Sequence, residues 1–271
     1  AALPDGAFGP MGGMLTSTAD LARWVGFLSG AWPARDAPDT GPVRRASLRE
    51  MQQVTRLRPA TVRSAAGGGV ALNAGGYGYG LRIQQTCDFE HVVSHTGGLP
   101  GYGSVMTWLP QYGIGVISMS NLTYTSASAV AHDVLSMLVR SAGLRPRAAT
   151  PSARLVQAQR DVTSLITQWD DGLADRIAAE NLYLDQDKAR RRAAIEALRA
   201  KVGACPTQGP FDVENALRGQ WTMKCERGDL RVAITLAPSM PPLVQHLAVD
   251  LVDPAQPAAM GACAAVPPVS R

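Results

Sequence analysis

The sequence predicts an α+β protein in which an antiparallel sheet with flanking helices is followed by a smaller appended α+β domain. Three observations lead to this prediction. Short apolar runs separated by Gly and Pro crowd the stretch from His91 to Asn121 and indicate neighbouring strands. Segments on either side of these strands have the apolar spacing of amphipathic helices. After a Pro-, Gly- and Arg-rich linker at 143–151, helical patterns come first and strand patterns later.

Composition and charge describe a globular chain without a strong attraction to nucleic acid. Of the 271 residues, 46% are hydrophobic and 18% are charged, a balance that supports a folded core rather than a disordered segment. The formal net charge is only +4, and the basic run Arg190-Arg191-Arg192 fits a solvated helix face. No nucleic-acid motif is present, and no apolar run reaches the roughly 20 residues that span a bilayer. We therefore expect no nucleic-acid partner and no transmembrane segment in this chain.

The helices of the first domain follow from spacing and capping signals. Thr18 is the predicted N-cap of the first helix, where Asp20 would face the positive end of the helix dipole. Apolar residues then recur at helical spacing and predict a face that packs on a core: Leu21, Trp24, Val25 and Leu28. A second short helix is predicted from Arg45 to Val54, and a closing helix from Ala127 to Leu138.

The strands of the first domain are predicted to begin at Tyr77, after a long polar loop at 56–76. The first strand runs to about Gln85, and three more follow at His91–His95, Ser104–Leu109 and Ile114–Ser120. Between two of them, His95-Thr96-Gly97 is followed by Gly98-Leu99-Pro100-Gly101, a turn that cannot continue a strand. This arrangement suits a place where a substrate meets backbone N–H groups. An ordinary antiparallel meander explains the same residues.

The appended domain is predicted over residues 152–254. Ser152 is the predicted N-cap of a long helix that reaches about Asn181, and a second helix over 188–202 ends before Gly203. Three strands follow at Gln220–Glu226, Leu230–Leu236 and Val244–Val252. We expect this sheet to curl around the helices as a cone, and residues 255–271 to form a tail. Arg227-Gly228-Asp229 is interpreted as a hairpin turn rather than as an adhesion signal.

The cysteines and carboxylates predict no metal site and no other cofactor. Cys87, Cys205, Cys225 and Cys263 show neither Cys-x-x-Cys spacing nor histidine partners at ligand distances. Cys205 and Cys225 flank one compact segment and are the favoured disulfide, which would place the protein in an oxidising compartment. Four buried free thiols are the alternative. The acidic side chains at 170, 171 and 175 are predicted to face water.

Two sequence blocks carry a resemblance to a known family. The first is Gly12-Gly13-Met14-Leu15-Thr16-Ser17-Thr18-Ala19-Asp20-Leu21-Ala22-Arg23-Trp24. The second runs from His95-Thr96-Gly97-Gly98-Leu99-Pro100-Gly101 through Trp108-Leu109-Pro110 and Gly113-Ile114-Gly115-Val116 to Ser120-Asn121. Together they resemble the penicillin-recognising serine hydrolases, and within them the branch of class C β-lactamases, serine D-alanyl-D-alanine carboxypeptidases and related esterases. The resemblance covers residues 1–145 and implies the C-terminal part of a β-lactamase- or transpeptidase-like domain.

Two motifs of that family are missing. Its nucleophile lies in Ser-x-x-Lys, but the residues three positions before Lys188, Lys201 and Lys224 are Asp185, Leu198 and Trp221. Its second motif, Tyr-x-Asn or Tyr-x-Ser, precedes the His-Thr-Gly block, whereas Tyr102-Gly103-Ser104 and Tyr124-Thr125-Ser126 follow it. We therefore expect the chain to be the C-terminal portion of a longer protein. It would need a missing N-terminal part and would be inactive alone.

The resemblance also implies roles for the residues around the predicted turn. His95 and Thr96 would line a cleft on an edge strand, where they bind a substrate carboxylate or help to move the leaving-group proton. The backbone N–H of Gly98 would donate to an oxyanion. Gly97 and Tyr102 would contact substrate, and a side chain at Gly97 would block a substrate lying along the strand. Histidine in place of the family's usual lysine is more typical of carboxypeptidases and esterases than of true β-lactamases.

The implied function is acyl transfer, in which a serine attacks a peptide, lactam or ester carbonyl and water releases the acyl group. Such a protein would be penicillin-binding and either periplasmic or secreted. The alternative is a non-catalytic member of the same fold that binds cell-wall peptides or another protein. A third interpretation gives the main role to residues 152–271, as a small-ligand or partner-binding domain. His91 is interpreted as structural.

Overall fold

The computed structural model describes residues 6, 9–35, 37–64, 70–123, 125 and 127–252. They fall into two compact units, with the main boundary after Arg147. Each unit combines an antiparallel sheet with helices, so the predicted α+β class is confirmed. Among the described residues, no helix has both the length and the apolar character needed to cross a membrane.

The first unit is built on a six-stranded antiparallel sheet whose strands follow one another in chain order. They are β1 (Arg56–Ser64), β2 (Val70–Tyr77), β3 (Arg82–Thr86), β4 (Val92–Leu99), β5 (Tyr102–Leu109) and β6 (Ile114–Ser120). The three strands predicted across 91–121 are present. The predicted loop at 56–76 is wrong, because β1 and β2 pair there as a hairpin. The described side chains of β1 are all exposed, so apolar alternation could not reveal the strand.

In the described residues of this unit, four helices accompany the sheet: α1 (Gly9–Gly12), α2 (Thr18–Ser29), α3 (Arg45–Met51) and α4 (Ala127–Ser141). The N-cap of α2 is Ser17 rather than the predicted Thr18. Ser17 has an extended backbone, and its side-chain oxygen accepts a hydrogen bond from the Asp20 N–H at 3.1 Å. Asp20 lies in the first turn, as predicted. Helix α3 ends three residues before the predicted Val54.

One buried polar residue ties the first unit together. Gln52, which follows α3, is fully buried, and its amide N–H groups donate to the carbonyl oxygens of Leu28 at 2.9 Å and Leu48 at 2.8 Å. Its side-chain oxygen accepts a hydrogen bond from the Trp108 indole N–H at 3.0 Å. These bonds join α2, α3 and β5 within the same apolar cluster. Because every polar atom of the amide is paired, the buried side chain stabilises the unit rather than straining it.

The second unit places three helices before a five-stranded sheet. The helices are α5 (Ala153–Thr167), α6 (Asp171–Ile177) and α7 (Lys188–Val202), and the strands are β7 (Thr207–Gln208), β8 (Asp212–Asn215), β9 (Arg218–Cys225), β10 (Gly228–Leu236) and β11 (Val244–Leu251). Apolar side chains from both layers form one core that includes Val162, Ile195, Trp221 and Val232. Gly228 pairs with Cys225, so the Arg227-Gly228-Asp229 segment belongs to a β9–β10 hairpin, as predicted.

The predicted long helix from Ser152 to about Asn181 is interrupted, so the helix-helix-sheet order is wrong and becomes three helices and a sheet. Ser152 caps α5, accepting a hydrogen bond from the Leu155 N–H at 3.1 Å. The chain becomes extended at Gln168, and the Asp170 carboxylate then caps α6. Side chains before and after the break pack on the same core, and for this reason apolar spacing continued across it.

Cys205 and Cys225 form a disulfide with an S–S distance of 1.97 Å, which confirms the pairing favoured from the sequence. The bond joins the segment before β7 to the end of β9. Cys87 is also disulfide-bonded, so the free-thiol alternative is wrong for these three residues. Cys263 and the predicted tail at 255–271 lie outside the described residues.

Candidate functional site

The second half of β4 pairs with a neighbouring strand on only one side in the described residues. Strand β3 pairs with β4 only as far as Ser94, which lies opposite Arg82, the first residue of β3. Beyond Ser94, β4 keeps β5 on one side, from His95 opposite Met106 onward, while β3 has already ended. β4 as a whole is an interior strand, so the prediction that it is an edge strand is wrong. Only the segment 95–99 has a free edge, and we call this segment the open edge.

The turn between β2 and β3 shows which backbone groups point at the open edge. The Gly78 N–H donates to the Leu81 carbonyl at 2.8 Å, so these two residues form a hydrogen-bonded pair. Hydrogen-bonded pairs alternate along an antiparallel ladder, so Ile83 directs its N–H and C=O at β2, whereas Arg82 directs its own at β4. Ser94, opposite Arg82, must direct its backbone groups back at β3.

The same alternation continues into the open edge. Thr96 and Gly98 follow Ser94 at a period of two, so their N–H and C=O groups point to the side on which β3 has ended. The geometry of the β4–β5 turn leads to the same orientation of these backbone groups. It has two central residues, so Leu99 and Tyr102 direct their backbone groups at each other, and the residues between alternate from there. Within the described part of the chain, no strand pairs with this side of 95–99, so the open edge presents two N–H and two C=O groups to a ligand.

His95 is the first residue of the open edge and is exposed. Its Nε2 lies 3.0 Å from the Tyr77 hydroxyl, and the two rings meet edge-on with centroids 6.3 Å apart. Tyr77 is the last residue of β2, and strand β3 separates it from β4 in the sheet. Sequence reasoning gave Tyr77 no role in the site. These side chains can meet because β3 does not extend between them. No local sequence pattern marks the residue at which the pairing of β3 with β4 stops.

The other predicted site residues lie on or next to the same edge. Thr96 is exposed, and Gly97 lies opposite Ser104 on β5. A Cβ at Gly97 would come within 2.5 Å of the Ser104 hydroxyl oxygen, so Ser104 gives a reason for glycine that the sequence did not reveal. Tyr102 is exposed at the start of β5, on the far side of the hairpin from the open edge. The structure thus gathers His95, Thr96 and Gly98, with the other two beside them.

The segment after β6 braces the β4–β5 turn. Gly101 has a positive φ of 86°, which glycine adopts without strain, and its N–H donates to the Thr123 hydroxyl at 2.6 Å. Gly103 is also required, because a Cβ there would come within 2.9 Å of the Thr125 backbone nitrogen. These contacts hold the turn and, with it, the open edge. Of the formal motif Tyr124-Thr125-Ser126, the first and last residues lie outside the described residues.

Arg82 is the residue of β3 that comes before the open edge in the sheet, and its side chain lines a cleft on β1 to β3. It lies opposite Tyr77 on β2 and Ser94 on β4, and it has no acidic partner in the part of the chain that the structure describes. With Arg58, Asn73 and other residues it lines a cleft of about 360 Å³. Two guanidinium groups in one cleft favour an anionic ligand. No group of three or more His, Cys, Asp or Glu side chains that could hold a metal is found in the described ranges.

His91 lies outside the site. Its Nε2–H donates to the Gln52 main-chain carbonyl at 2.8 Å, and its ring meets Trp32 edge-on with centroids 5.2 Å apart. Burial lowers the pKa of His91 below its ordinary value, and the hydrogen bond to Gln52 opposes this shift only in part. A half-buried imidazole that bonds to the backbone fits the structural role that the sequence predicted.

Comparison with known proteins identifies the family to which the chain belongs. The family model described as Beta-lactamase matches residues 1–141, just over half of the chain. No curated protein matches the sequence. Among solved structures, the chain is similar to an octameric penicillin-binding protein homologue from Pyrococcus abyssi, at 16% sequence identity and a TM-score of 0.36. That match covers 82% of this chain and 43% of the other, so the chain spans less than half the length of that protein. The family match includes both the start of α2 and the open edge, and the chain belongs to the beta-lactamase family.

Proposed function

We propose that this chain supplies the substrate-binding edge of a serine hydrolase that performs acyl transfer on peptide, lactam or ester carbonyls. The observation that carries the proposal is the open edge, where Thr96 and Gly98 direct backbone groups outward beside the His95 imidazole. An extended substrate would add to this edge as a short antiparallel strand, held by main-chain hydrogen bonds. Membership of the beta-lactamase family supports serine chemistry at such an edge.

Each edge residue has a task in the proposed reaction. The Gly98 N–H would donate to the oxyanion that forms when the carbonyl is attacked, and a second donor would come with the nucleophile. His95 and Thr96 would bind a substrate carboxylate or pass a proton to the leaving group. The positive charge of Arg82 would favour a substrate with an anionic group nearby.

We propose that the nucleophile comes from outside the 271 residues. This is supported by the lysines, since none of the three follows a serine at the Ser-x-x-Lys spacing. We accordingly propose that the chain is inactive by itself. We also propose that the protein is periplasmic or secreted, since its Cys205–Cys225 disulfide would persist in an oxidising compartment.

Intact-mass spectrometry of a longer protein that contains this chain tests the proposal. The protein is incubated with a fluorophosphonate and, separately, with a penicillin. We expect one covalent adduct on a serine outside these residues, and no adduct when the 271-residue chain is treated in the same way. A well-folded longer protein that forms no adduct with either probe would contradict the hydrolase assignment.

A variant of the open edge links the adduct to this site. Gly98→Pro removes the N–H that points at the open edge, and it leaves the β4–β5 ladder intact because that N–H points away from β5. We expect the acylation rate to fall about 100-fold, the effect of removing one oxyanion donor. Far-UV circular dichroism serves as the folding control. An unchanged acylation rate in folded Gly98→Pro would separate the reaction from this edge.

A non-catalytic protein that binds cell-wall peptides, or another protein, is the second candidate. It is favoured by the same open edge, which would hold an extended peptide without any chemistry. Calorimetric titration of the longer protein with a D-alanyl-D-alanine peptide distinguishes the two. Binding that depends on the Gly98 N–H, without an adduct from either probe, would identify the binding protein.

A further inference from the structure

We propose that Tyr77 is a positioning residue for His95, holding its Nε2 so that Nδ1 is the nitrogen that meets the substrate. The consequence for catalysis rests on the proposed function, but the interaction stands on its own contact. The Tyr77 hydroxyl lies 3.0 Å from His95 Nε2, within the normal range of a hydrogen bond. In the described part of the chain, neither the hydroxyl nor the imidazole has another hydrogen-bond partner.

The chemistry of the two groups sets the direction of this bond. A phenol O–H is a good donor, and the unprotonated nitrogen of a neutral imidazole accepts better than a phenol oxygen does. The Tyr77 O–H therefore donates to His95 Nε2. The neutral ring must then carry its own proton on Nδ1. In its neutral form, His95 thus presents an N–H donor at Nδ1.

Tyr77 is held firmly enough for this role. Its carbonyl oxygen accepts hydrogen bonds from both the N–H and the hydroxyl of Thr55, each at 3.0 Å. The next residue, Gly78, bonds to Leu81, and a Cβ on Gly78 would come within 2.5 Å of the Met51 carbonyl oxygen. The backbone is thus fixed on both sides of Tyr77. Only the side-chain torsions remain to place the hydroxyl.

A fixed tautomer has a direct consequence at the open edge. An Nδ1–H can donate a hydrogen bond to a substrate carboxylate, or to the leaving-group atom as its bond to carbon breaks, while the ring remains neutral. Without Tyr77, the ring would rotate and divide its population between the two tautomers. Only the fraction with the correct tautomer and orientation would then bind productively, and the apparent affinity would fall by that fraction.

Nitrogen-15 NMR of the imidazole rings in the 271-residue chain tests this proposal. The spectra are recorded at a pH where the histidines are neutral, and the His95 signals are assigned by their loss in His95→Gln. We expect His95 in the wild type to show a protonated Nδ1 and a bare Nε2. In Tyr77→Phe the ring should shift toward the Nε2–H tautomer, which histidine side chains favour in water. Tyr79→Phe is the matched control, because its exposed hydroxyl has no hydrogen bond in the described residues.

Two results would overturn the proposal: an Nε2–H tautomer in the wild type, or His95 signals that do not change in Tyr77→Phe. The signals of His91, His132 and His246 report whether the variant is folded. In the longer acylating protein, Tyr77→Phe should lower kcat/KM roughly tenfold, the effect of one hydrogen bond, and shift its pH profile. If that protein formed no adduct, the proposed function would fail. The tautomer measurement would still decide the role of Tyr77.

Discussion

Two histidines four positions apart have opposite surroundings. His91 is half-buried, donates to the Gln52 carbonyl and contacts Trp32, whereas His95 is exposed and bonds to the Tyr77 hydroxyl. The difference arises from their positions relative to the last residue pair between β3 and β4. His91 precedes β4 and packs beside the end of α3, while His95 lies just past the last β3–β4 pair. One residue type therefore has a structural role at the first position and a candidate chemical role at the second.

The pH dependence of stability should report the burial of His91. Because burial lowers the pKa of His91 in the folded state, the unfolded chain binds the proton more tightly. The free energy of unfolding then has its full value above the unfolded pKa of about 6.5, and it decreases as the pH falls from there toward the lower folded pKa. We expect urea denaturation of the first unit to show this loss as the pH falls below about 6.5.

His91→Gln provides the test, since it keeps a side-chain N–H donor near Gln52 but cannot take up a proton in this range. The variant should lose stability less steeply with acid than the wild type does. His132→Gln is the control, because His132 lies beside the Asp88 carboxylate and does not contact the Gln52 carbonyl. If His91→Gln and the wild type showed the same slope of stability against pH, His91 would not be the titrating group.

At the scale of elements, the sequence predicted the strands and helices that bury one face. Strands β5, β9 and β10 alternate buried and more exposed side chains over most of their length, and each was located within a few residues. Strand β1 has exposed side chains throughout its described residues and was missed. Its stability comes from backbone pairing with β2, which leaves no periodic pattern in the sequence.

Only part of the candidate site was predicted, because only part of it is formed by residues that are contiguous in the sequence. The motif residues 95–98 are contiguous, so a resemblance could locate them. The partner Tyr77, the neighbour Arg82 and the open edge itself depend on where β3 stops relative to β4. That offset is a property of sheet register, and register is set by contacts between segments that are distant in the sequence. Sequence patterns therefore identified the motif residues of the candidate site but not their arrangement in space.

The Cys205–Cys225 disulfide should stabilise the second unit mainly through its unfolded state. The two cysteines are 20 residues apart, and backbone hydrogen bonds from Glu226 to Ala204 and from Arg227 to Val202 already hold the same ends together in the fold. Closing a loop of this length contributes about 3 kcal/mol. We expect the Cys205→Ala/Cys225→Ala double variant to lose about that much free energy of unfolding in urea. A loss below about 1 kcal/mol would show that the unfolded chain gains little freedom from losing the bond.

At the scale of the whole molecule, each unit has a core of its own. Trp108 is fully buried in the first unit, in a cluster with Leu28 and Val93. Trp221 is buried in the second unit, in the cluster that joins its helices and sheet. A unit with its own core can unfold cooperatively as one body. We therefore expect two transitions when the chain is unfolded, one for each core.

Variants aimed at each core make this expectation testable by urea titration followed through tryptophan fluorescence. Gln52→Leu removes the hydrogen bonds that join α2, α3 and β5, and it leaves the Trp108 indole N–H buried without an acceptor. We expect it to cost the first unit about 2 kcal/mol and to move only that transition. Gln53→Leu, at the adjacent exposed position, is the matched control. The cysteine double variant should move only the other transition. One transition that shifts as a whole in both variants would show that the two cores unfold together.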